Sequence, residues 1–265
     1  DRTDEQWRCR KRGLMYHHLT CITAAGPEIL VGSLSGVWRS TNMGGSWNES
    51  GKGMSLPHAR WISHHPRKPE TVLVGTEPAG IFRSRNGGRS WEQRSEVSRF
   101  RDEGEWYLPY SPEAGCVRGF AFHGSRAYAA VEQGGMLVSE DTGLNWHVAE
   151  GATGGTESPP PEGYIHPDVH SVEVHPSDAD LVYAPCGGGF YVSSDGGATW
   201  RCLYDCYCRA VWVDPKDPDH MILGPADGVS ENGRIESTSD GGDNWDAAWE
   251  GLECPWPEHM VERFL

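Results

Sequence analysis

A propeller of four-stranded antiparallel blades, all β, is the fold class that the sequence predicts. Three observations predict it: a turn motif recurs five times, its period matches a propeller blade, and short apolar runs precede the first four copies. The copies are Ser-Thr-Asn-Met-Gly-Gly-Ser-Trp (40–47), Ser-Arg-Asn-Gly-Gly-Arg-Ser-Trp (84–91), Ser-Glu-Asp-Thr-Gly-Leu-Asn-Trp (139–146), Ser-Ser-Asp-Gly-Gly-Ala-Thr-Trp (193–200) and Thr-Ser-Asp-Gly-Gly-Asp-Asn-Trp (238–245). Seven positions before each Trp stands Ser or Thr. Five before stands Asn or Asp (Asn42, Asn86, Asp141, Asp195, Asp240), and three before stands Gly (Gly44, Gly88, Gly143, Gly197, Gly242). The Trp-to-Trp intervals are 44, 55, 54 and 45 residues.

Each motif has a mechanical reading. The Asp or Asn side chain can bond backbone amides within the turn, the Gly can take positive φ, and the Trp packs back from the following strand. That is a hairpin with a fixed turn, joining the third and fourth strands of a blade. Two more strands lie upstream, as in 169–176 followed by 181–185, 209–215 followed by 220–224, and 60–66 followed by 71–75. His-Pro or Asp-Pro with polar residues marks the tight turn between them. Innermost strands are therefore expected near 19–24, 61–65, 119–123, 171–175 and 210–214. Five full blades follow, over about 14–50, 58–95, 116–150, 168–203 and 208–249 of one domain spanning 1–265. The ends, 1–13 and 254–265, read as parts of a clipped sixth blade, the alternative being five blades with irregular ends. Trp7-Arg8-Cys9 resembles Trp200-Arg201-Cys202 of an outer strand, and 260–265 resembles an inner strand. Joining both ends in one blade is the usual way a propeller removes its open edges.

The Ser-x-Asp-x-Gly-x-Thr-Trp form identifies the repeat as similar to the Asp-box, or BNR repeat. Over residues ~14–250 the chain resembles Asp-box propellers: sialidases, xyloglucan-degrading glycosidases, the sortilin ectodomain and photosystem II assembly-factor-like proteins. The resemblance implies that the motif turns lie on the rim opposite the functional face, so their Asp, Asn and Trp residues read as structural. It implies an arginine-lined site on the other face, as in sialidases. No Phe/Tyr-Arg-Ile-Pro stretch is present near the start. Xyloglucan-degrading relatives use two propellers with a cleft between them, and the assembly factors present a basic patch to a protein partner.

Composition narrows the function classes. With 38 acidic against 23 basic residues the net charge is −15, which argues against nucleic acid and anionic membranes as partners. No run of 18 apolar residues exists to span a membrane. The mean hydropathy of −0.58 is offset by 12 tryptophans, enough bulk for a core. Eight cysteines, three of them clustered as Cys202, Cys206 and Cys208, read as ordinary thiols, with a disulfide or a metal as alternatives. The chain starts at Asp1 without a visible signal peptide. A cytoplasmic setting is the expectation, and a secreted or periplasmic one stays open.

Aligning the innermost strands on their Pro turns puts Thr20, Arg60, Arg118, His170 and Arg209 in one register. Arg is planar, permanently charged and bidentate toward carboxylate or phosphate, so three Arg on one axis point to an anion site. Glu77 and Glu132 align after the second strands, with Asp227 nearby, as compensating charges. The alternative is a set of Arg–Glu pairs that seals the channel. Two long connections, 98–115 and 150–167, supply Trp106, Tyr107, Tyr110 and Tyr164 as candidate pocket walls. His166, Asp168 and His170 alternate along one strand face and are a candidate metal set, with His17 and His18 as possible additions; no cofactor is specified.

The expected function is a binding or scaffold propeller. Arg60, Arg118, His170, Arg209, Glu77, Glu132 and Tyr164 would hold an anionic small molecule or protein segment. The alternative is a glycosidase or other hydrolase on the same face, with His170 and Glu132 as acid and base. Arg118→Ala is expected to weaken anion binding and leave the fold intact.

Overall fold

The computed structural model describes residues 2–3, 6–7, 9, 11–107 and 115–264. Five four-stranded antiparallel sheets form in chain order. Blade 1 runs Leu19–Ala25, Glu28–Ser33, Gly36–Ser40, Asn48–Glu49, and blade 2 runs Ala59–His65, Lys68–Thr76, Gly80–Ser84, Glu92–Gln93. Blade 3 runs Cys116–His123, Arg126–Glu132, Gly135–Ser139, His147–Val148. Blade 4 runs Glu173–Val174, Val182–Cys186, Gly189–Ser193, Arg201–Tyr204, and blade 5 runs Tyr207–Asp214, Asp217–Ala226, Glu236–Thr238, Asp246–Ala247. The expected inner strands stand in blades 1, 2, 3 and 5. In blade 4 only Glu173–Val174 pairs as a strand, because Pro185 on the facing strand has no N–H to return. It accepts the His170 amide at 2.9 Å and gives nothing back.

The turn motif works as a small hydrogen-bond machine. Ser193 Oγ donates to Asp195 Oδ1 at 2.8 Å and accepts the Gly197 amide at 2.8 Å. Asp195 Oδ1 in turn accepts the Thr199 amide at 2.8 Å. Ser40/Asn42, Ser84/Asn86, Ser139/Asp141 and Thr238/Asp240 repeat the pattern. Gly197 sits at φ 94°, where a side chain would be strained. The Trp residues of the middle copies, Trp91, Trp146 and Trp200, are buried. The motif also locks blades together: Arg39 Nε donates to Gly87 O, and Arg83 Nε donates to Thr142 O.

The core lies between blades, where aliphatic and aromatic residues of adjacent sheets interdigitate. Glycines permit the tightest approach near the axis. A methyl group at Gly75 of blade 2 would lie 2.6 Å from Val117 Cβ of blade 3. At Gly224 of blade 5 it would lie 2.5 Å from Val261 Cβ. Val261 thus takes, beside blade 5, the place that Val117 takes beside blade 2. Segment 260–264 packs beside the inner strand of blade 5, and no strand pairs with it among the described residues. Gln6–Trp7 pairs with Arg2–Thr3 in a separate two-stranded sheet, so the two ends do not share a blade sheet.

One element escapes the sequence reading. Ser95–Glu103, inside the first long connection, is an α-helix with Val97 buried. Its Glu96 Oε1 accepts the Trp146 amide at 3.1 Å. No helix among the described residues is long and apolar enough to cross a membrane.

Candidate functional site: an arginine-lined channel mouth

The register residues are all aimed by the same device. At the start of the inner strands the ladder slips by one residue: between Leu19 and Cys21, Ala59 and Trp61, Val117 and Gly119, and Cys208 and Val211. Thr20, Arg60, Arg118 and Arg209 fall in these bulges. In blade 4 the Val169–Cys186 bridge and the Glu173–Tyr183 pair enclose a comparable slip around His170. A bulge leaves its extra residue unpaired and re-aims the side chain. Antiparallel connectivity puts these starts at the strand end opposite the motif turns. Glu262, the residue after Val261, is the sixth member of the ring.

Arg60, Arg118, His170, Arg209, Glu262 and Arg263 line one cavity of about 500 Å³. Arg60, Arg118 and Arg209 each have a carboxylate. Arg118 Nη1 donates to Glu132 Oε1 at 2.5 Å, with Glu132 1% exposed. Arg60 Nε lies 3.5 Å from Glu77. Arg209 Nη1 donates to Glu262 Oε1 at 2.5 Å, and Arg118 Nη2 lies 3.8 Å from Glu262 Oε2. Arg263 stacks on Trp61, its guanidinium carbon 3.5 Å from the ring centroid. The arginines therefore converge on an open cavity, and a carboxylate from segment 260–264 already bridges two of them.

Below Arg118 lies a buried polar cluster. His170 Nδ1 donates to Cys208 O at 2.7 Å, which turns Nε2 toward Asp168 Oδ2 at 3.3 Å and Glu132 Oε1 at 3.7 Å. The Cys116 thiol donates to Glu132 Oε2 at 2.8 Å. Burial works to raise the Glu132 carboxyl, but Arg118, His170 and Cys116 outweigh it and hold it below its ordinary range. Burial likewise opposes ionisation of Asp168, and the His170, His166 and Arg118 charges overcome it. Burial pushes the Cys116 thiol well up.

Several sequence-derived placements change. His166 is not part of the cluster: its Nδ1 accepts the Asp168 amide at 3.1 Å and its Nε2 faces Ser158 Oγ at 3.0 Å. Glu132 stands in its place. His17 lies on Trp38, with ring centroids 4.3 Å apart. Asp227 leaves the ring to bind Arg234 at 2.8 Å. Trp106 is fully buried and walls no pocket, while Tyr107 is exposed and Tyr110 lies outside the described residues. Tyr164 lines a different cavity, of about 820 Å³, with Pro161, Tyr191 and Trp200. Its loop is stitched to blade 4, where Gly163 O accepts the Trp200 amide at 2.9 Å. All eight cysteines are free thiols.

The sequence reading missed Tyr207, Glu173, Glu262 and Arg263. Tyr207 OH accepts from Arg209 Nη2 at 2.9 Å and lies 3.3 Å from His170 Nε2. Its place two residues before Arg209 on the same inner strand was the available signal. Glu173 lines the cavity and is exposed there. Desolvation pushes its carboxyl up to about 7, against the pull of Arg263. The unfolded chain loses this proton near 4.5, and the native state keeps it to about 7, so stability falls as pH rises through that window. Glu173→Gln is expected to raise the melting temperature at pH 8 and to change it little at pH 4.5. Melts at both pH values check this, and an equal shift at the two would count against it.

No family model matches the chain, and no curated protein matches its sequence. Solved structures match its fold. An ancestral GH74 enzyme aligns with TM-score 0.72 and 19% identity, over 91% of this chain and 32% of that one. YCF48 from Cyanidioschyzon merolae aligns with TM-score 0.61 and 16% identity, over 92% of this chain and 75% of that one. YCF48 bound to D1 peptide aligns with TM-score 0.60 and 16% identity, over 92% and 71%. This chain thus spans about a third of the GH74 enzyme's length. At these identities the similarity is one of fold, to propellers built from BNR-type repeats.

Proposed function

We propose that this propeller is a binding module whose arginine-lined mouth takes an acidic segment of a protein partner. The observation that carries the reading is the Glu262 carboxylate bridging Arg209 and Arg118. A carboxylate borne on extended chain is the chemistry that the mouth already holds. The YCF48 structure with a D1 peptide supports a peptide, rather than a small molecule, as the occupant. Membership of the Asp-box family belongs to the same proposal and rests on the five motif turns. Arg209 is the probe of choice because its only carboxylate partner among the described residues, Glu262, is largely exposed.

Binding of labelled Glu-rich peptides, compared with Gln-rich versions, tests the proposal by fluorescence anisotropy at low and moderate salt. Arg209→Ala is expected to weaken the acidic peptide roughly tenfold or more. Glu262→Gln, which removes the internal competitor, is expected to tighten it. Equal binding of the Glu and Gln peptides would sink the proposal.

A second reading, hydrolysis at the same mouth, draws on the contrast between Glu173, a cavity residue pushed up to about 7, and Glu132, held low. Such separation is what acid/base pairs show. Against it, Glu132 and His170 are both buried and bonded within the protein. Turnover of a glycoside that is abolished by Glu173→Gln would favour this second reading.

A further inference from the structure

We infer that Glu132, Asp168 and His170 form a binding site for a divalent first-row metal ion such as Mn2+ or Zn2+. One oxygen of each carboxylate and one His170 nitrogen lie within 4.8 Å of one another. The His170–Asp168 and His170–Glu132 separations are 3.3 and 3.7 Å. Ligand atoms ~2.1 Å from a tetrahedral ion stand about 3.4 Å apart, so the cluster already has nearly the required spacing.

The tautomer is fixed by chemistry. A carbonyl only accepts, so Nδ1 carries the proton that Cys208 O receives. Nε2 faces two carboxylate oxygens, and a metal ion bound there would take the place of a ring proton among the three groups. The Nδ1–H to carbonyl bond is how proteins orient an imidazole that ligates through Nε2. Tyr207 OH also faces Nε2, at 3.3 Å, and is the group an ion would displace.

The supporting shell is built. Arg118 and Cys116 hold the two oxygens of Glu132. Gly187 gives Asp168 its room: a methyl group there would lie 2.3 Å from Asp168 Oδ2. Asp168 is 22% exposed while the other two ligands are 1% exposed, so the ion would enter from the Asp168 side and keep open positions there. One nitrogen and two carboxylates suit Mn2+, Fe2+ or Zn2+ better than soft ions. The site does not depend on acidic-segment binding at the mouth.

The test uses the full chain stripped with a chelator and titrated with Mn2+, followed by the loss of the free-ion EPR signal, and with Zn2+ by calorimetry. One Mn2+ per chain is expected, with a rise in melting temperature. Asp168→Asn, which keeps shape, and His170→Gln are each expected to weaken binding at least about tenfold and to abolish the thermal shift. Failure of the wild-type chain to bind at millimolar Mn2+ and Zn2+ would overturn the site. So would binding that survives unchanged in the folded Asp168→Asn variant, since it would then belong to surface histidines or carboxylates.

Discussion

Replacing Arg118 with alanine is expected to destabilise the protein by about 3–5 kcal/mol, because it strands a buried carboxylate. Glu132 is 1% exposed and receives Arg118 Nη1 at 2.5 Å. The sequence alone suggested that this substitution would weaken anion binding and leave the fold intact. The structure adds a cost in stability to that expectation, because Arg118 is a partner of Glu132 as well as a face of the cavity. Urea titration of Arg118→Ala checks the loss. A double variant, Arg118→Met with Glu132→Leu, separates two causes. If the stranded charge is responsible, the double variant recovers most of the stability, since apolar residues of similar volume replace buried ion pairs at little cost. If it stays as unstable as the single variant, shape at the blade 3 bulge is the cause instead.

The same residue shows why the fold was legible in the sequence and the site only partly so. The turn motif is local: Ser193, Asp195, Gly197 and Thr199 satisfy one another within seven residues, so spacing alone reveals them. The ring register was legible because Pro turns align the inner strands. What the side chains do there was not. The bulges that aim Arg60, Arg118 and Arg209 are ladder slips, and nothing in the residue types announces them. Glu262 enters the ring only when segment 260–264 packs on Gly224 through Val261, a contact 37 residues distant in sequence. His166 and Glu132 changed places for a related reason. Alternation along one strand predicted His166 beside His170, but the chain there is not regular strand. The carboxylate that reaches His170 comes from the preceding blade, at the end of Arg126–Glu132. Glu173 is perturbed by desolvation, which composition does not express.

Trp106 presents the opposite case, an aromatic in a long loop that builds no pocket. Its side chain is fully buried, packed in one cluster with Val97, Ala79 and Val131. Its Nε1–H donates to Gly154 O at 2.8 Å, which ties the first long connection to the second. Glycines make room for the indole: a methyl group at Gly134 would lie 2.8 Å from its Cε2, and one at Gly104 2.4 Å from its Nε1. Trp106→Ala therefore removes a large apolar surface, leaves a cavity and deprives Gly154 O of its donor. The expected loss is about 3–5 kcal/mol, with faster amide exchange in the helix Ser95–Glu103 and in 150–155. Trp106→Phe keeps much of the packing and loses the hydrogen bond, so it is expected to fall between wild type and alanine. Because Trp106 does not line the cavity that the ring arginines share, acidic-peptide affinity is expected to hold in whatever fraction of Trp106→Ala remains folded. A stability loss under about 1 kcal/mol, the range of surface substitutions, would show that the indole is not the anchor of the two connections. A loss of peptide affinity in the folded Trp106→Phe variant would show that the loops reach the mouth after all.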